Sequence, residues 1–208
     1  MDADPAPEGA VPTRDPSPRN VGALLEEFRP RLRRMLVLRL DPGLRKRIDP
    51  ADVLQETFAE VVGRLDEFLA ARPMPFFLWV RFLAGQKLAQ LHQHHLGAAR
   101  RDAGREVTPR AFPASSSVSL AQVFAHPGPS PSESVAQAEI LERVRQALER
   151  LDDVDREVLA LRYFERLSTE ETAIALGLTA SGVAKRQLRA LGHLKRELPQ
   201  VQDVPTPP

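Results

Sequence analysis

The chain has 208 residues, 42% of them hydrophobic, and its 29 basic and 28 acidic side chains leave a formal net charge of only +1. The absence of cysteine excludes a disulfide framework and a thiolate metal site, and is typical of proteins from a reducing compartment. The N-terminus carries acids and prolines instead of the cations and apolar run of a secretory signal, and no apolar run is long enough to span a membrane. We therefore expect a soluble, cytoplasmic protein.

Helical periodicity begins after a proline-rich arm, residues 1–20, which we predict to be disordered. Apolar residues at helical spacing predict a first helix over residues 24–36, in which Pro30 either kinks the helix or marks its effective start. An aspartate cap followed by proline predicts a second helix over residues 49–69. A third helix is predicted over residues 76–96, after two further prolines. These helices are expected to form one domain.

A change of composition divides the chain. Residues 97–132 are rich in proline and serine and are predicted to be a flexible linker, within which the apolar patch 118–124 could form one helical turn. Two further helices are predicted over residues 133–150 and 155–164, and residues 199–208 are expected to form a tail. No segment alternates with period two, so the predicted fold class is all-α, with helical domains at 21–96 and 133–198 on either side of the linker.

The end of the second domain contains two short helices joined by a tight turn. Ser168 with Glu171 three residues later forms a capping-box pattern, Gly177 can take the left-handed conformation that ends a helix, and Thr179 can cap the next one. Ala173 is small enough to let the two helices approach. The apolar positions expected to be buried are Ile174 and Leu176 on the first helix and Val183, Leu188, Leu191, Leu194 and Leu198 on the second. The pattern predicts a helix-turn-helix with a basic second helix, and its alternative is a helical hairpin with a solvated basic face.

Charge is distributed unevenly, although the whole chain is nearly neutral. Residues 21–48 hold eight basic and three acidic side chains. Residues 49–72 hold two basic and six acidic side chains, and residues 179–197 hold five basic side chains and one acidic side chain. The basic segments favour contact with a polyanion, and the acidic helix favours a different, basic partner.

Two segments resemble the same family. LDDVDREVLALRYFERLSTEETAIALGL, residues 151–178, resembles the C-terminal promoter-binding domain of bacterial RNA polymerase sigma factors. DPADVLQETF, residues 49–58, resembles the polymerase-binding helix of the extracytoplasmic-function (ECF) group. The resemblance covers both predicted domains in the right order, with a linker in place of the extra middle domain of housekeeping sigma factors.

The resemblance implies roles for the N-terminal domain. The helix at 49–58 would dock on a coiled-coil clamp of the largest polymerase subunit, and helical spacing places its polar residues together on the side opposite Val53 and Leu54. These predicted polymerase-binding residues are Asp52, Gln55 and Glu56. The following helix would capture the opened minus-ten promoter strand, through Trp79, Arg81, Gln86, Lys87 and Gln90. A core position for Trp79 is the alternative, and Gln86 and Gln90 depart from the Asn and Asp of the usual ECF pattern.

In the C-terminal domain, the helix-turn-helix would read the minus-thirty-five element in the major groove. The residues predicted to contact this DNA are Ser181, Gly182, Lys185, Arg186 and Arg189. The usual Thr-Val-Lys-Ser-Arg reads Gly-Val-Ala-Lys-Arg here, so the lysine has moved by about 100° around the helix.

The resemblance therefore implies a sigma factor that directs core RNA polymerase to specific promoters and opens the strands, without being an enzyme and without a metal or cofactor. Core RNA polymerase and promoter DNA are the expected partners, and an anti-sigma factor is left open as a third. Other interpretations are a helix-turn-helix regulator that acts without polymerase docking and a degenerate sigma-like regulator. An enzyme using His92, His94 and His95 with Asp102 lacks a second ligand helix and a phosphate-binding loop.

Overall fold

The computed structural model describes residues 15–40, 44, 47–99, 120–121, 124 and 134–197, and throughout these ranges it contains helices and no strand. This confirms the predicted all-α class. The described helices divide into two compact units. The N-terminal unit contains α1 (Val21–Arg39), α2 (Pro50–Gly63), α3 (Leu65–Ala71) and α4 (Phe76–Ala99); the C-terminal unit contains α5 (Ser134–Glu149), α6 (Asp153–Leu159), a π-helical turn (Ala160–Phe164), α7 (Thr169–Leu176) and α8 (Ala180–Glu197). The predictions for most of the arm, the linker and the tail lie outside the described residues.

Helix α1 continues through Pro30, which lies inside the helix and does not start it. Proline removes one backbone donor, but its ring is exposed, and buried side chains hold the helix on both sides of it. Phe28 and Leu32 are among these buried side chains, with 3% and 0% of their surface exposed. Packing of the apolar face therefore keeps the helix intact where local propensity alone would interrupt it.

The second predicted helix is divided in the structure. It begins as expected, since the Asp49 side chain accepts a hydrogen bond of 2.8 Å from the Ala51 backbone N–H and Pro50 takes the first helical position. The single helix predicted over residues 49–69 is wrong, however, because Arg64 adopts φ −112° and ψ 14° and separates α2 from α3. The apolar side chains of α3 nevertheless reach the core, as their spacing predicted.

Five consecutive residues at the start of α4, from Phe76 to Val80, are all buried. A helix that is apolar on every side must be surrounded by other elements. Rings from three helices meet here. The ring centroid of Phe28 on α1 lies 5.1 Å from that of Phe77, and the ring centroid of Phe68 on α3 lies 4.7 Å from that of Trp79. This aromatic cluster is the centre of the N-terminal unit.

The C-terminal unit also buries part of the predicted linker patch. Leu120, Ala121 and Phe124 are helical and buried, and the Phe124 ring lies 5.2 Å from that of Tyr163. The helix predicted over residues 155–164 begins earlier, at Asp153, and its last turn widens into the π-helical turn. Such turns are uncommon and reorient the side chains that follow them.

The helix-turn-helix has the local structure that the sequence predicts. Ser168 Oγ accepts from the Glu171 N–H at 3.0 Å while the Glu171 carboxylate accepts from the Ser168 N–H at 2.8 Å, which completes the capping box. Gly177 ends α7 at φ +65°. Thr179 Oγ1 accepts from the Gly182 N–H at 3.1 Å and caps α8. Ala173 packs with Val158 and Val183 in the core between the helices.

Two of the predicted core positions are wrong. Ile174 on α7 is exposed, and Leu188 on α8 has 71% of its surface exposed. The buried seam of α8 contains Val183, Ala190 and Leu194, which are spaced by seven and four residues, whereas Leu188 follows Val183 by five and turns away from the core. Leu198 lies outside the described residues.

Replacing Gly177 with alanine should lower the free energy of unfolding by about 1–2 kcal/mol, because an L-residue disfavours the left-handed conformation. Urea denaturation followed by circular dichroism would measure the change. Gly192→Ala is the matched control: Gly192 lies within α8 with open space around its Cα, and alanine there should stabilise the helix by about 0.5–1 kcal/mol. Equal effects at both positions would contradict the assignment of Gly177 as a required cap.

Candidate functional site

The three predicted polymerase-binding residues, Asp52, Gln55 and Glu56, all lie exposed on one face of α2. Val53 and Leu54 are buried in the core on the other side of the helix, so α2 has one apolar face and one polar face. Glu56 forms an ion pair of 2.9 Å with Lys87 of α4. The polar face of α2 is therefore continuous with the side of α4 that carries predicted DNA contacts.

The predicted minus-ten residues do not share one surface. Trp79 has only 6% of its surface exposed and is packed against Phe68 and Phe76, with Arg64 beside its ring. Gln86 and Gln90 are exposed, and Arg81 and Lys87 are half-buried. The burial of Trp79 favours a core position in the described conformation. Base contact by any member of this group stays a prediction.

The predicted minus-thirty-five residues lie near the start of α8. Ser181, Lys185 and Arg189 are exposed, and Gly182 and Arg186 are half-buried beside them. Gly182 has a structural reason to be glycine, since a Cβ there would lie 3.0 Å from Thr179 Oγ1, the oxygen that caps the helix. These residues form one cationic face, as helical spacing predicts.

Two of these cations are held by a buried carboxylate that sequence reasoning missed. Asp155 of α6 accepts from Arg189 Nε and Nη2, both at 2.7 Å, and from Arg186 Nη1 at 2.8 Å. Only 4% of the Asp155 side chain is exposed. Asp155 is surrounded by other acids in LDDVDRE, but its spacing of three and four residues from the buried Val158 and Leu159 places it on the inner side of α6.

The ionised state of Asp155 is stabilised by these arginines. Burial alone would raise the pKa of its carboxyl group, but the hydrogen bonds from Arg189 and Arg186 outweigh burial and hold that pKa below its ordinary value. The cluster of Asp155, Arg186 and Arg189 is therefore a fixed structure with one negative and two positive charges. Its net charge at neutral pH remains +1.

A second polar connection joins α8 to the π-helical turn. Gln187 Nε2 donates to the Tyr163 hydroxyl at 3.1 Å, and Gln187 Oε1 accepts from Arg162 Nε at 3.3 Å. Burial raises the pKa of Tyr163 and lowers the pKa of Arg162. Gln187 lies on the inner side of α8 between Val183 and Ala190, where the sequence pattern would favour an apolar residue. Asp155 and Gln187 therefore add polar contacts between α8 and its neighbours, α6 and the π-helical turn, to the apolar packing of Val183.

Comparisons with known proteins find similar sequences and a similar solved structure. The family model for Sigma-70, region 4 matches residues 141–194, which include α6, the π-helical turn and α7. The ECF RNA polymerase sigma factor SigD of Mycobacterium tuberculosis is 32% identical over 175 residues, which is 84% of this chain and 75% of that protein. The RNA polymerase sigma factor CnrH of Cupriavidus metallidurans is 32% identical over 148 residues, 70% of this chain and 71% of that protein. The solved structure of CnrH in complex with the cytosolic domain of CnrY has a TM-score of 0.46 at 22% identity, covering 88% of this chain and 90% of that chain.

Proposed function

Because the chain belongs to the ECF sigma factors of RNA polymerase, we propose that it directs core polymerase to specific promoters and stabilises the opened strands there. The observation that supports this function best is the presence of two separate charged faces on two compact helical units. One is the acidic face of α2, formed by Asp52, Gln55 and Glu56, and the other is the cationic face of α8. We assign residues 21–96 to the first role and residues 133–198 to the second.

Polymerase docking is assigned to the acidic face of α2. Its carboxylates are exposed while the opposite side of the helix is held in the core, so that a cationic partner surface can approach without disturbing the fold. Charge complementarity of this kind speeds association and selects the orientation in which two surfaces meet.

Promoter contact is assigned to exposed polar groups of both units. Gln86 and Gln90 on α4 offer side-chain donors and acceptors for a single strand, with Lys87 beside them as a cation. On α8, Lys185 and Arg189 can reach phosphate oxygens or base edges of a duplex. The protein needs no chemistry of its own, because tighter binding to the open promoter than to the closed one is enough to shift the equilibrium.

The proposed function is tested by transcription in vitro with purified core polymerase and a pool of genomic DNA, followed by mapping of the start sites. We expect specific starts that require the protein and share two upstream elements at a constant spacing. Binding of promoter DNA in the absence of polymerase, with no starts, would instead support a helix-turn-helix regulator. Failure to co-purify with core polymerase would exclude a sigma factor that docks through α2.

Lys185 is the clearest probe of duplex contact. It is exposed, and in the described part of the chain it has no ion pair, whereas Arg186 and Arg189 are bonded to Asp155. Lys185→Ala should weaken binding of the polymerase complex to DNA and reduce the slope of log K against log [salt] by about 1. Lys195→Ala, an exposed cation in the last turn of the same helix, is the control and should leave the slope within experimental error. An unchanged slope for Lys185→Ala would remove it from the interface.

Arg186→Ala and Arg189→Ala are less informative tests of DNA contact. Each removes one of the two arginines that neutralise the buried Asp155 carboxylate, so each also weakens the contact between α8 and α6. Loss of transcription in these variants would therefore combine lost contact with lost stability.

A further inference from the structure

We propose that Asp155 is a positioning residue, which holds the Arg189 guanidinium in the orientation that reads the minus-thirty-five duplex. This inference rests on the proposed function. Asp155 itself is buried and would touch neither bases nor phosphates, so that its effect on DNA recognition passes through the arginines that it binds.

The two ends of the cluster differ in exposure. The Asp155 side chain is 4% exposed, Arg186 is 31% exposed and Arg189 is 62% exposed. Arg189 lies on the same face of α8 as Ser181 and Lys185, at spacings of four residues. The carboxylate therefore anchors Arg189 from inside while most of its side chain faces outwards, beside the other exposed residues of that face.

The hydrogen bonds account for only part of the donor capacity of Arg189. A guanidinium has five N–H groups in a planar fork. Asp155 takes the Nε–H and one N–H of Nη2. Three N–H groups, two on Nη1 and one on Nη2, have no partner among the described residues. An arginine held along one edge can still offer a pair of donors to guanine O6 and N7, or to two phosphate oxygens.

Anchoring favours discrimination between sequences more than overall affinity. A free arginine side chain can move to whichever acceptor is nearest, and it loses rotamer freedom when it binds. A guanidinium fixed by two hydrogen bonds has already lost that freedom and can meet only acceptors in the matching position. The carboxylate also subtracts one positive charge from the cluster, which lowers attraction to any duplex regardless of sequence.

Asp155→Asn should therefore lower discrimination between sequences without lowering the affinity for DNA of random sequence. Asparagine has nearly the same shape, but it replaces one carboxylate oxygen by an amide donor, so the two-pronged bond to Arg189 is lost. Discrimination between a promoter and the same DNA with a scrambled minus-thirty-five element should fall at least tenfold. Affinity for random-sequence duplex should stay equal or rise. If Asp155 only stabilised the fold, the variant would lower both the discrimination and the affinity for random-sequence duplex. If its carboxylate only repelled DNA, the variant would raise the affinity for the promoter and for the scrambled DNA equally.

The experiment uses polymerase complexes assembled from the full chain and core enzyme, on a promoter mapped by the transcription assay above. Competition binding gives the affinity ratio for the intact and scrambled elements, and a random duplex of equal length gives the sequence-independent affinity. Asp153→Asn is the control. It removes the same charge two residues away from Asp155, at a side chain that is 88% exposed and pairs with Arg156, and it should change the affinity ratio less than twofold.

Arg189→Lys keeps the inference testable if Asp155→Asn does not fold. Lysine retains the charge and can still neutralise Asp155, but it cannot form the two-pronged bond. The Arg189→Lys variant should lose as much discrimination between the two elements as Asp155→Asn does, and its affinity for random duplex should not change. The positioning role is overturned if either folded variant discriminates as well as the parent chain. If the parent complex itself does not distinguish the two elements, the proposed function fails first, and this inference fails with it.

Discussion

Replacing Trp79 with alanine should lower the free energy of unfolding of the N-terminal unit by about 3–5 kcal/mol. The side chain is 6% exposed and lies between Phe68 of α3 and Phe76 of its own helix, so alanine would leave a cavity between these rings. Urea denaturation followed by circular dichroism measures the loss. Trp79→Phe should retain most of the stability, because a ring remains in the cluster.

Phe82→Ala is the matched control for Trp79. Phe82 is an aromatic residue on the same helix, but half of its surface is exposed, and its removal should change the free energy of unfolding by no more than about 0.5 kcal/mol. A stable Trp79→Ala variant that still fails to open promoters would show that the tryptophan acts on DNA directly. The core assignment would then be wrong.

Reversing the charge of Asp52 should weaken association with core polymerase at least about tenfold, which corresponds to 1.4 kcal/mol. Asp52 is exposed in the first turn of α2, and in the described residues it has no ion pair, so Asp52→Lys changes the docking face without breaking an internal contact. The lysine is also placed at the positive end of the helix, where it should reduce stability by about 0.3–1 kcal/mol. Affinity is measured by titrating labelled protein with core enzyme.

Asp66→Lys is the control for Asp52. Asp66 is likewise an exposed acid in the first turn of a helix of the same unit, α3, and its reversal carries the same helix-end penalty. It should leave polymerase affinity within about twofold. Glu56 is a less suitable probe, because its reversal would place a lysine beside Lys87, the ion-pair partner that it now has on α4. Equal losses at Asp52 and Asp66 would mean that polymerase responds to total charge and not to the face of α2.

The local parts of the fold could be predicted because they depend on residues close in sequence. The caps at Asp49, Ser168 and Thr179 each join a side chain to a backbone N–H two or three residues away, and the structure confirms them. Gly177 ends α7 for an equally local reason, since it is the residue that tolerates positive φ. The exposed polar face of α2 follows from helical spacing alone.

The remaining features depend on what packs against each helix. The break at Arg64 and the exposure of Leu188 are not visible in the apolar pattern, which predicted a longer helix and a buried leucine. Gln187 replaces an apolar residue in the seam of α8 because it meets Tyr163 and Arg162, which lie 24 and 25 residues earlier in the chain.

The amino-acid sequence by itself determined the all-α class, the helix caps and the resemblance to ECF sigma factors. Tertiary structure alone decided that Trp79 is enclosed by other rings and that Arg186 and Arg189 are bonded to Asp155, 31 and 34 residues away. The physical reason is the range of the interactions involved. A cap or a helical face is specified within one or two turns, whereas the partner of a buried charge is chosen by the packing of separate helices.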